Sequence, residues 1–266
     1  MTTPFFSLII VLTEKNSYLL PFTLDSIAHE KRCYEVALVD GTGGKVVLDH
    51  LPVEGVKIIR CPHSTFPKMM NLAMKEVSGE YLHFLLPGEF YIWDEALNFM
   101  RKMIQGYNYP DLVYTPRRVR HHFGQPTIDL FPLTTKILKR GDVHWSLQSY
   151  FFRRESLLMM GGFSEKYGIK WGYELICRFF LAPTLTKTYV KRVITDYEYR
   201  RLTPDWIWRE SVETAHISFK YFGLSIQLIG WMMQNCLRLF RFSWRMIRSS
   251  LRGSCKTQVL SIFWFF

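Results

Sequence analysis

Four short runs of continuous apolar residues alternate with segments of helical spacing through the first third of the chain. The apolar runs cover residues 7–12, 36–39, 56–60 and 81–86, and the helical segments cover 20–30 and 66–77. Strands without a polar face are typical of a parallel sheet covered on both sides, and their alternation with helices implies crossover connections. The pattern therefore predicts a Rossmann-like α/β fold with a mostly parallel sheet and flanking helices.

The rest of the chain is less regular, although helical and extended segments continue. Helices are predicted from near Asp94, over 153–160 and 171–181, and from about 203 toward Phe222. Extended segments are predicted over 111–115, over 145–152 and, as an edge strand, over 188–197. The segment 117–126, with the sequence RRVRHHFGQP, is predicted to be a basic loop. We place one domain over 1–202 and a helical, basic extension over 203–266.

Polar segments follow three of the predicted buried strands, over residues 13–16, 40–44 and 86–89. The connection rules for parallel strands bring such segments together at one edge of the sheet. Open α/β sheets bind their ligands outside the carboxyl ends of their strands. The hydrophobic pattern alone therefore predicts a cleft at this edge.

The charge of +11 over 266 residues is unevenly distributed. From Ala215 to the end the chain has seven Lys or Arg residues and no Asp or Glu; five of the seven are Arg238, Arg241, Arg245, Arg248 and Arg252. Their spacing of three and four residues, beside aromatic and aliphatic residues of the same spacing, is typical of a helix lying on an anionic membrane. The alternative is a helix docked on the domain with its arginines in water. No recognition motif accompanies the charge, so nucleic acid is a less favoured partner.

Cysteine usage and the apolar stretches predict where the protein acts. The five cysteines are scattered without a C-x-x-C pair, which fits a reducing compartment. The apolar run near the amino terminus lacks a basic leader and is interpreted as a strand, and the stretch 222–233 is too short to span a bilayer. We expect a cytoplasmic protein, peripheral at the inner face of the membrane.

Several short motifs, in order, carry a family resemblance. They are Val39-Asp40-Gly41-Thr42, Asn71 with Ser78-Gly79-Glu80-Tyr81, Gly161-Gly162-Phe163-Ser164-Glu165, and Tyr173-Glu174-Leu175 with Arg178. Over roughly residues 5–200 the chain resembles the family-2 glycosyltransferases of the GT-A fold.

The resemblance implies an activity and roles for individual residues. It implies transfer of a sugar from a nucleotide-sugar donor to a glycan or lipid-linked acceptor in cell-surface polysaccharide synthesis. Asp40 would contact the nucleotide base, with Thr13, Glu14 and Asn71 as further nucleotide contacts. Glu89 would bind a divalent metal, Mg or Mn. Glu174 would be the catalytic base of an inverting transfer.

The chain departs from the family at its acidic motifs, and this leaves a second function open. The metal motif falls on Leu86-Pro87-Gly88, where only the following Glu89 is acidic. The family's catalytic base belongs to an acidic cluster that opens the later helix, and here Gly172-Tyr173-Glu174 leaves only Glu174. The alternative is a catalytically impaired GT-A domain that acts as a membrane-bound binding or assembly protein. A nucleotidyltransferase is a third hypothesis, and no glycine-rich motif in the sequence supports it.

Each candidate residue also has a structural interpretation. Asp40 fits an Asp-Gly turn, Glu89 a turn carboxylate, Glu174 a first-turn helix acid and Asn71 a solvated helix position. The arginines of 117–126 fit either a solvated loop or a phosphate clamp that replaces a metal.

Overall fold

The computed structural model of the protein describes residues 3–30, 33–46, 51–120, 125–129, 132–141, 147–198, 204–224, 226, 229–237 and 240. The chain divides into two compact units, Met1–Arg201 and Leu202–Phe266. The sheets and the candidate site belong to the first unit. That the two units are separate functional domains stays a prediction.

Two sheets form the first unit. The strands of its described part are β1 (Phe6–Leu12), β2 (Tyr34–Asp40), β3 (Lys57–Arg60), β4 (Tyr81–Leu85), β5 (Phe90–Tyr91), β6 (Leu112–Tyr114), β7 (Arg117–Arg120), β8 (Thr127–Asp129), β9 (Tyr150–Arg153), β10 (Lys187–Tyr189) and β11 (Thr195–Glu198). The large sheet has the order β10-β6-β9-β4-β1-β2-β3, and the small sheet has the order β5-β11-β7-β8. In the large sheet β9 runs antiparallel to both neighbours, while the other pairs are parallel. The predicted mostly parallel α/β sheet is confirmed.

Helices cover the large sheet. They are α1 (Leu20–Ala28), α2 (Phe66–Glu76), α3 (Ala96–Gly106), α4 (Thr135–Arg140), α5 (Arg154–Met159) and α6 (Trp171–Leu181), with single 3-10 turns at Ser17–Leu19 and Leu147–Ser149. Both α1 and α2 begin with a proline in the first turn, where the missing amide hydrogen leaves no bond unmade. Every residue of β1 is buried, as the continuous apolar run predicts, and each fully buried Leu or Ile contributes roughly 1.5–3 kcal/mol.

The small sheet corrects two predictions. Arg117–Arg120, predicted as part of a basic loop, is strand β7, in which Val119 is buried between the half-buried Arg118 and Arg120. The predicted edge strand 188–197 is two strands: β10 lies at the edge of the large sheet, and β11 lies inside the small sheet between β5 and β7. The arginines of β7 suggested a loop, because their ionic partner, Asp196 of β11, is distant in sequence.

The second unit begins with helix α7 (Pro204–Phe222). Trp208, Val212 and Phe219 are exposed on it. The arginine stripe from 238 to 252 lies outside the described residues. Within the part of the chain that is described, no helix combines the length and apolarity needed to cross a membrane.

Candidate functional site

The carboxyl ends of β1, β2 and β4 lie side by side at one edge of the large sheet, here called the carboxyl edge. Leu12, the last residue of β1, pairs with Asp40, the last of β2. Ile10 of β1 pairs with Leu85, the last residue of β4. The Gly41 amide donates to the Leu12 carbonyl over 3.0 Å. The three polar segments therefore leave the sheet at a common edge, as predicted.

The three polar segments are here called the first (13–16), second (40–44) and third (86–89) exits. The first exit is a turn stabilised by the buried side chain of Asn16. Its Oδ1 accepts from the Thr13 amide at 2.7 Å, and its Nδ2 donates to the Val11 carbonyl at 3.3 Å. Glu14 faces outward and accepts from Lys45 Nζ at 2.6 Å. The hydrogen bond and charge of Lys45 lower the pKa of the Glu14 carboxyl. This ion pair joins the first exit to the second.

Asp40, at the second exit, is buried and organises its own loop. Its Oδ1 accepts from the Thr42 amide at 2.8 Å and from Thr42 Oγ1 at 2.5 Å, and its Oδ2 accepts from the Gly44 amide at 3.1 Å. Gly43 and Gly44 both have positive φ, at 71° and 83°, where a residue without Cβ is favoured. A carboxylate offers about four acceptor positions, so the loop's described bonds leave about one for a ligand donor.

The third exit, 86–89, is a tight turn clamped onto α1. The Glu89 amide donates to the Leu86 carbonyl at 2.9 Å, and the Leu86 amide donates to Glu89 Oε2 at 2.7 Å. Thr23 of α1 donates its hydroxyl to the Glu89 carbonyl at 2.8 Å and accepts from the Gly88 amide at 2.9 Å. Glu89 is therefore a buried residue whose carboxylate is directed at the backbone of its own turn.

This donor set does not by itself form a magnesium or manganese site. Mg²⁺ is held by one or two carboxylates together with phosphate oxygens and water. Glu89 supplies one carboxylate, with Oε2 already accepting from Leu86, and Asp40 is directed at its own loop. Among the described residues no group of three or more His, Cys, Asp and Glu side chains could hold a metal ion. Glu89 as a metal ligand stays a prediction.

Asn71 of α2 lies against the loop 160–163, and its side-chain hydrogen bonds go to this loop and not to the three exits. Its Nδ2 donates to the Phe163 carbonyl and its Oδ1 accepts from the Phe163 amide, both at 2.8 Å. Gly162 has a φ of 66°, and a Cβ there would lie 2.5 Å from Asn71 Oδ1. The side chain of Asn71 thus holds a loop that requires glycine at position 162. The role of Asn71 as a nucleotide contact stays a prediction.

Glu174 of α6 is buried and stabilises the same loop through Arg178. Its Oε2 accepts from Arg178 Nε at 2.9 Å, and the Arg178 guanidinium donates to the carbonyls of Met160 and Gly162 at 2.5 Å each. Trp171, which begins α6, stacks on Phe66, which begins α2, with ring centroids 6.2 Å apart. Glu174 lies three residues after Trp171, about one turn into α6.

Arg118, Arg120 and Asp196 form an ionic group next to the third exit that the sequence did not predict. Arg118 and Arg120 of β7 both donate to the carboxylate of Asp196 in β11. Arg120 Nη2 also donates to the Gly88 carbonyl at 3.0 Å. The signal in the sequence is the alternation in RRVR, which has the period of a strand. Asp196 carries no local signal, because only the fold brings it to β7.

His83 lies in β4 beneath the third exit and is fully buried. Nε2 is 2.8 Å from the Gln148 carbonyl, and Nδ1 is 2.6 Å from the Tyr91 hydroxyl. A carbonyl only accepts, so Nε2 carries the proton and Nδ1 accepts from Tyr91. Burial lowers the pKa of His83 from 6.5 to about 4, so the ring is neutral near pH 7.

An open depression of about 440 Å³ lies at the opposite edge of the sheet. Its lining residues are Glu80, Asn108, Tyr109 and Arg153. Glu80 precedes β4, and Arg153 pairs with Tyr81 at the start of that strand. The depression therefore lies at the amino end of β4 and contains none of the three exits.

The fold of the chain is similar to that of solved GT-A-type glycosyltransferases. Staphylococcus aureus TarS in complex with UDP superposes with a TM-score of 0.62 at 16% identity, covering 90% of this chain and 72% of TarS. The mannosyltransferase PcManGT from Pyrobaculum calidifontis, in complex with GDP-Man and Mn²⁺, has a TM-score of 0.57 at 12% identity and covers 97% and 77%. The GT-A-like fold predicted from sequence is confirmed.

A sequence relative has a glycosyltransferase activity in its name. The PGL/p-HBAD biosynthesis glycosyltransferases of Mycobacterium tuberculosis and Mycobacterium bovis are 28% identical over 241 residues. The match covers 86% of this chain and 90% of the relative. No family model matches the chain.

Proposed function

We propose that the protein is a glycosyltransferase that moves a sugar from a nucleotide-sugar donor to a glycan or lipid-linked acceptor. The observation that carries the proposal is the meeting of three exit loops at the carboxyl edge around the buried Asp40. TarS with UDP or UDP-GlcNAc and PcManGT with GDP-Man support a nucleotide-sugar donor. The mycobacterial relative, which is named a PGL/p-HBAD biosynthesis glycosyltransferase, supports sugar transfer as the reaction.

In the proposed reaction the acceptor hydroxyl oxygen forms a bond to the anomeric carbon of the donor sugar. The bond from that carbon to the phosphate oxygen breaks, and the nucleoside diphosphate leaves with the electron pair. A carboxylate takes the hydroxyl proton, and attack from the opposite face inverts the anomeric configuration. Glu174 is the proposed base, because it is the acid nearest the start of α6.

The nucleotide is proposed to lie across the first two exits. Uracil and guanine both present an N–H donor, which Asp40 can accept with the position its loop leaves open. Thr13 and Glu14 line the neighbouring exit, where Lys45 fixes Glu14. This arrangement supports base recognition by Asp40 and leaves the diphosphate directed toward the third exit.

The second candidate is a GT-A domain without catalysis, acting as a membrane-bound binding or assembly protein. It is favoured by one observation, the absence of acidic side chains at Leu86, Gly88 and Gly172. In either case we propose a peripheral location at the inner face of the membrane, supported by the basic, aromatic sequence that follows α7.

Calorimetric titration with UDP- and GDP-sugars tests the first candidate. We expect one of these donors to bind, and Asp40→Ala to weaken its binding by about tenfold or more through loss of a charged acceptor. Asp40→Asn, which keeps one acceptor oxygen for the loop, separates a lost contact from a collapsed loop. Asp25→Ala, on the exposed face of α1, is the matched control. Binding of no nucleotide sugar would leave only the second candidate.

A further inference from the structure

Two arginines share one buried carboxylate beside the third exit. Arg118 Nε lies 2.6 Å from Asp196 Oδ2, and Arg120 Nε lies 2.5 Å from Asp196 Oδ1. Asp196 is completely buried, whereas the two arginine side chains are 37% and 36% exposed. The carboxylate therefore fixes the inner side of both guanidinium groups and leaves part of each facing solvent.

The pair is attached to the turn that ends at Glu89. Arg120 Nη2 donates to the Gly88 carbonyl at 3.0 Å, and its guanidinium carbon lies 4.8 Å from the centre of the Phe90 ring. Asp196 pairs with Phe90 across the small sheet. The arginine pair thus lies beside the carboxyl edge, next to the loop on which the resemblance places a metal.

The arginine pair carries more charge than its shared partner. Two guanidinium groups share the single carboxylate of Asp196, so these three side chains together carry one net positive charge. The acid of the adjoining turn, Glu89, is buried, and its Oε2 accepts from the Leu86 amide. A pair of guanidinium groups held in place by a buried carboxylate is suited to phosphate oxygens, which arginine binds through two parallel hydrogen bonds.

We propose that Arg118 and Arg120 bind the diphosphate of the nucleotide donor directly and replace the charge of a divalent ion. This inference rests on the proposed function. The nucleotide base lies at Asp40, and the diphosphate reaches the third exit, where the arginines meet the outer phosphate. They stabilise the charge that develops on the leaving diphosphate. Donor binding then needs no divalent metal.

The test is the gain in affinity that the second phosphate provides. Calorimetry on the full-length protein compares UDP with UMP, and GDP with GMP, once in EDTA and once in Mn²⁺. We expect the diphosphate to bind about tenfold or more tightly than the monophosphate in EDTA, since charge-assisted contacts are made only by the former. Manganese should leave this ratio unchanged within about twofold.

Variants of the pair identify its residues. Arg118→Gln, which leaves Arg120 bonded to Gly88, should reduce the ratio to about threefold or less while UMP or GMP affinity is retained. Arg118→Lys should restore part of it, because it keeps the charge but loses the planar fork. Arg101→Gln is the control, an arginine of α3 bonded only to Asn98 among the described residues.

The outcomes separate the inference from the function on which it rests. A ratio that appears only with Mn²⁺ and is unaffected by Arg118→Gln would overturn the arginine proposal and leave the transferase intact. A variant that weakens monophosphate and diphosphate binding equally, with a lower melting temperature, would give the pair a purely structural role and overturn it too. Absence of binding by any of the four nucleotides would overturn both.

Discussion

Gly79 lies so close to the first strand that a side chain cannot be placed there. A Cβ at this position would lie 2.5 Å from Ser7 Oγ and 2.6 Å from the Ser7 amide nitrogen. The Gly79 amide donates to Ser7 Oγ and to Glu35 Oε1, both at 2.9 Å. The Ser78-Gly79 motif that contributed to the resemblance therefore has a packing function at the amino end of β4.

Gly79→Ala should lower the free energy of unfolding by about 2–3 kcal/mol, because backbone and hydroxyl atoms of Ser7 must move. Gly106→Ala, at the end of α3 where a Cβ would meet nothing within 4 Å, is the matched control. Urea denaturation measures both. Equal stability of the two variants would contradict the close approach seen at Ser7.

His83 makes stability depend on pH in a known direction. Its folded pKa of about 4 is below the unfolded value of 6.5, so the unfolded chain binds more protons between these values. The contribution of the neutral ring is complete above pH 6.5 and is lost as the pH falls toward 4. The loss amounts to about 3 kcal/mol at most.

His83→Gln should remove this component, so that its unfolding free energy falls less than that of the wild type between pH 7 and pH 4.5. The control is His29→Gln, whose side chain is exposed on the end of α1. Denaturation at a series of pH values provides the comparison. Parallel curves for His83→Gln and the wild type would show that the ring is not buried in its neutral form.

At the scale of secondary structure, α2 and α6 together hold the loop 160–163. Asn71 bonds to Phe163 through both polar atoms of its amide, while Arg178 bonds to Met160 and Gly162. Glu174 fixes Arg178 in this position. The same residues carry the family resemblance, so part of that resemblance reflects how the helices are joined.

Glu174→Gln separates the catalytic role from the structural one. Glutamine can still accept from Arg178 Nε, so we expect the free energy of unfolding to change by only about 1 kcal/mol. The melting temperature should then change by only a few degrees. If Glu174 is the base, the rate of sugar transfer should fall by about 10²–10⁴-fold. Glu155→Gln, an exposed first-turn acid of α5, is the control. An unchanged rate would remove Glu174 from the proposed mechanism.

The large sheet could be predicted from sequence because its strands are uniformly apolar and separated by helices. The same argument located the carboxyl edge, since parallel strands end together. The small sheet could not be predicted as a unit, because its strands have only two to four residues and three of them contain charged side chains. Asp196 and Arg118 are 78 residues apart, so their pairing depends on the fold. Sequence also could not show that Asp40 and Glu89 bond to their own loops, because backbone amides leave no sequence signal.

At the scale of the whole molecule, membrane association is a prediction for the second unit. Leu224, Ile226, Met233 and Leu237 are exposed large apolar residues within its described part. The basic sequence continues beyond them. A lipid surface with anionic headgroups would meet both the apolar and the charged side chains.

Flotation with vesicles tests this association. The full-length protein should float with phosphatidylserine-containing vesicles and lose this binding in high salt, since each basic residue near an anionic surface contributes about 1 kcal/mol. A chain ending at Asn235 should stay at the bottom of the gradient. Vesicles of phosphatidylcholine alone are the control. Flotation of the shortened chain to the same extent would refute the interfacial helix.

The most direct test of the account is hydrogen–deuterium exchange of the full-length protein, with and without the UDP- or GDP-sugar that it binds. The account predicts slower exchange at the three exits, in peptides covering residues 13–16, 41–46 and 86–89. Peptides from the depression around Glu80 and Tyr109, at the opposite edge, serve as the internal control. Protection confined to that depression, or none at the exits despite binding, would contradict a nucleotide-sugar site at the carboxyl edge.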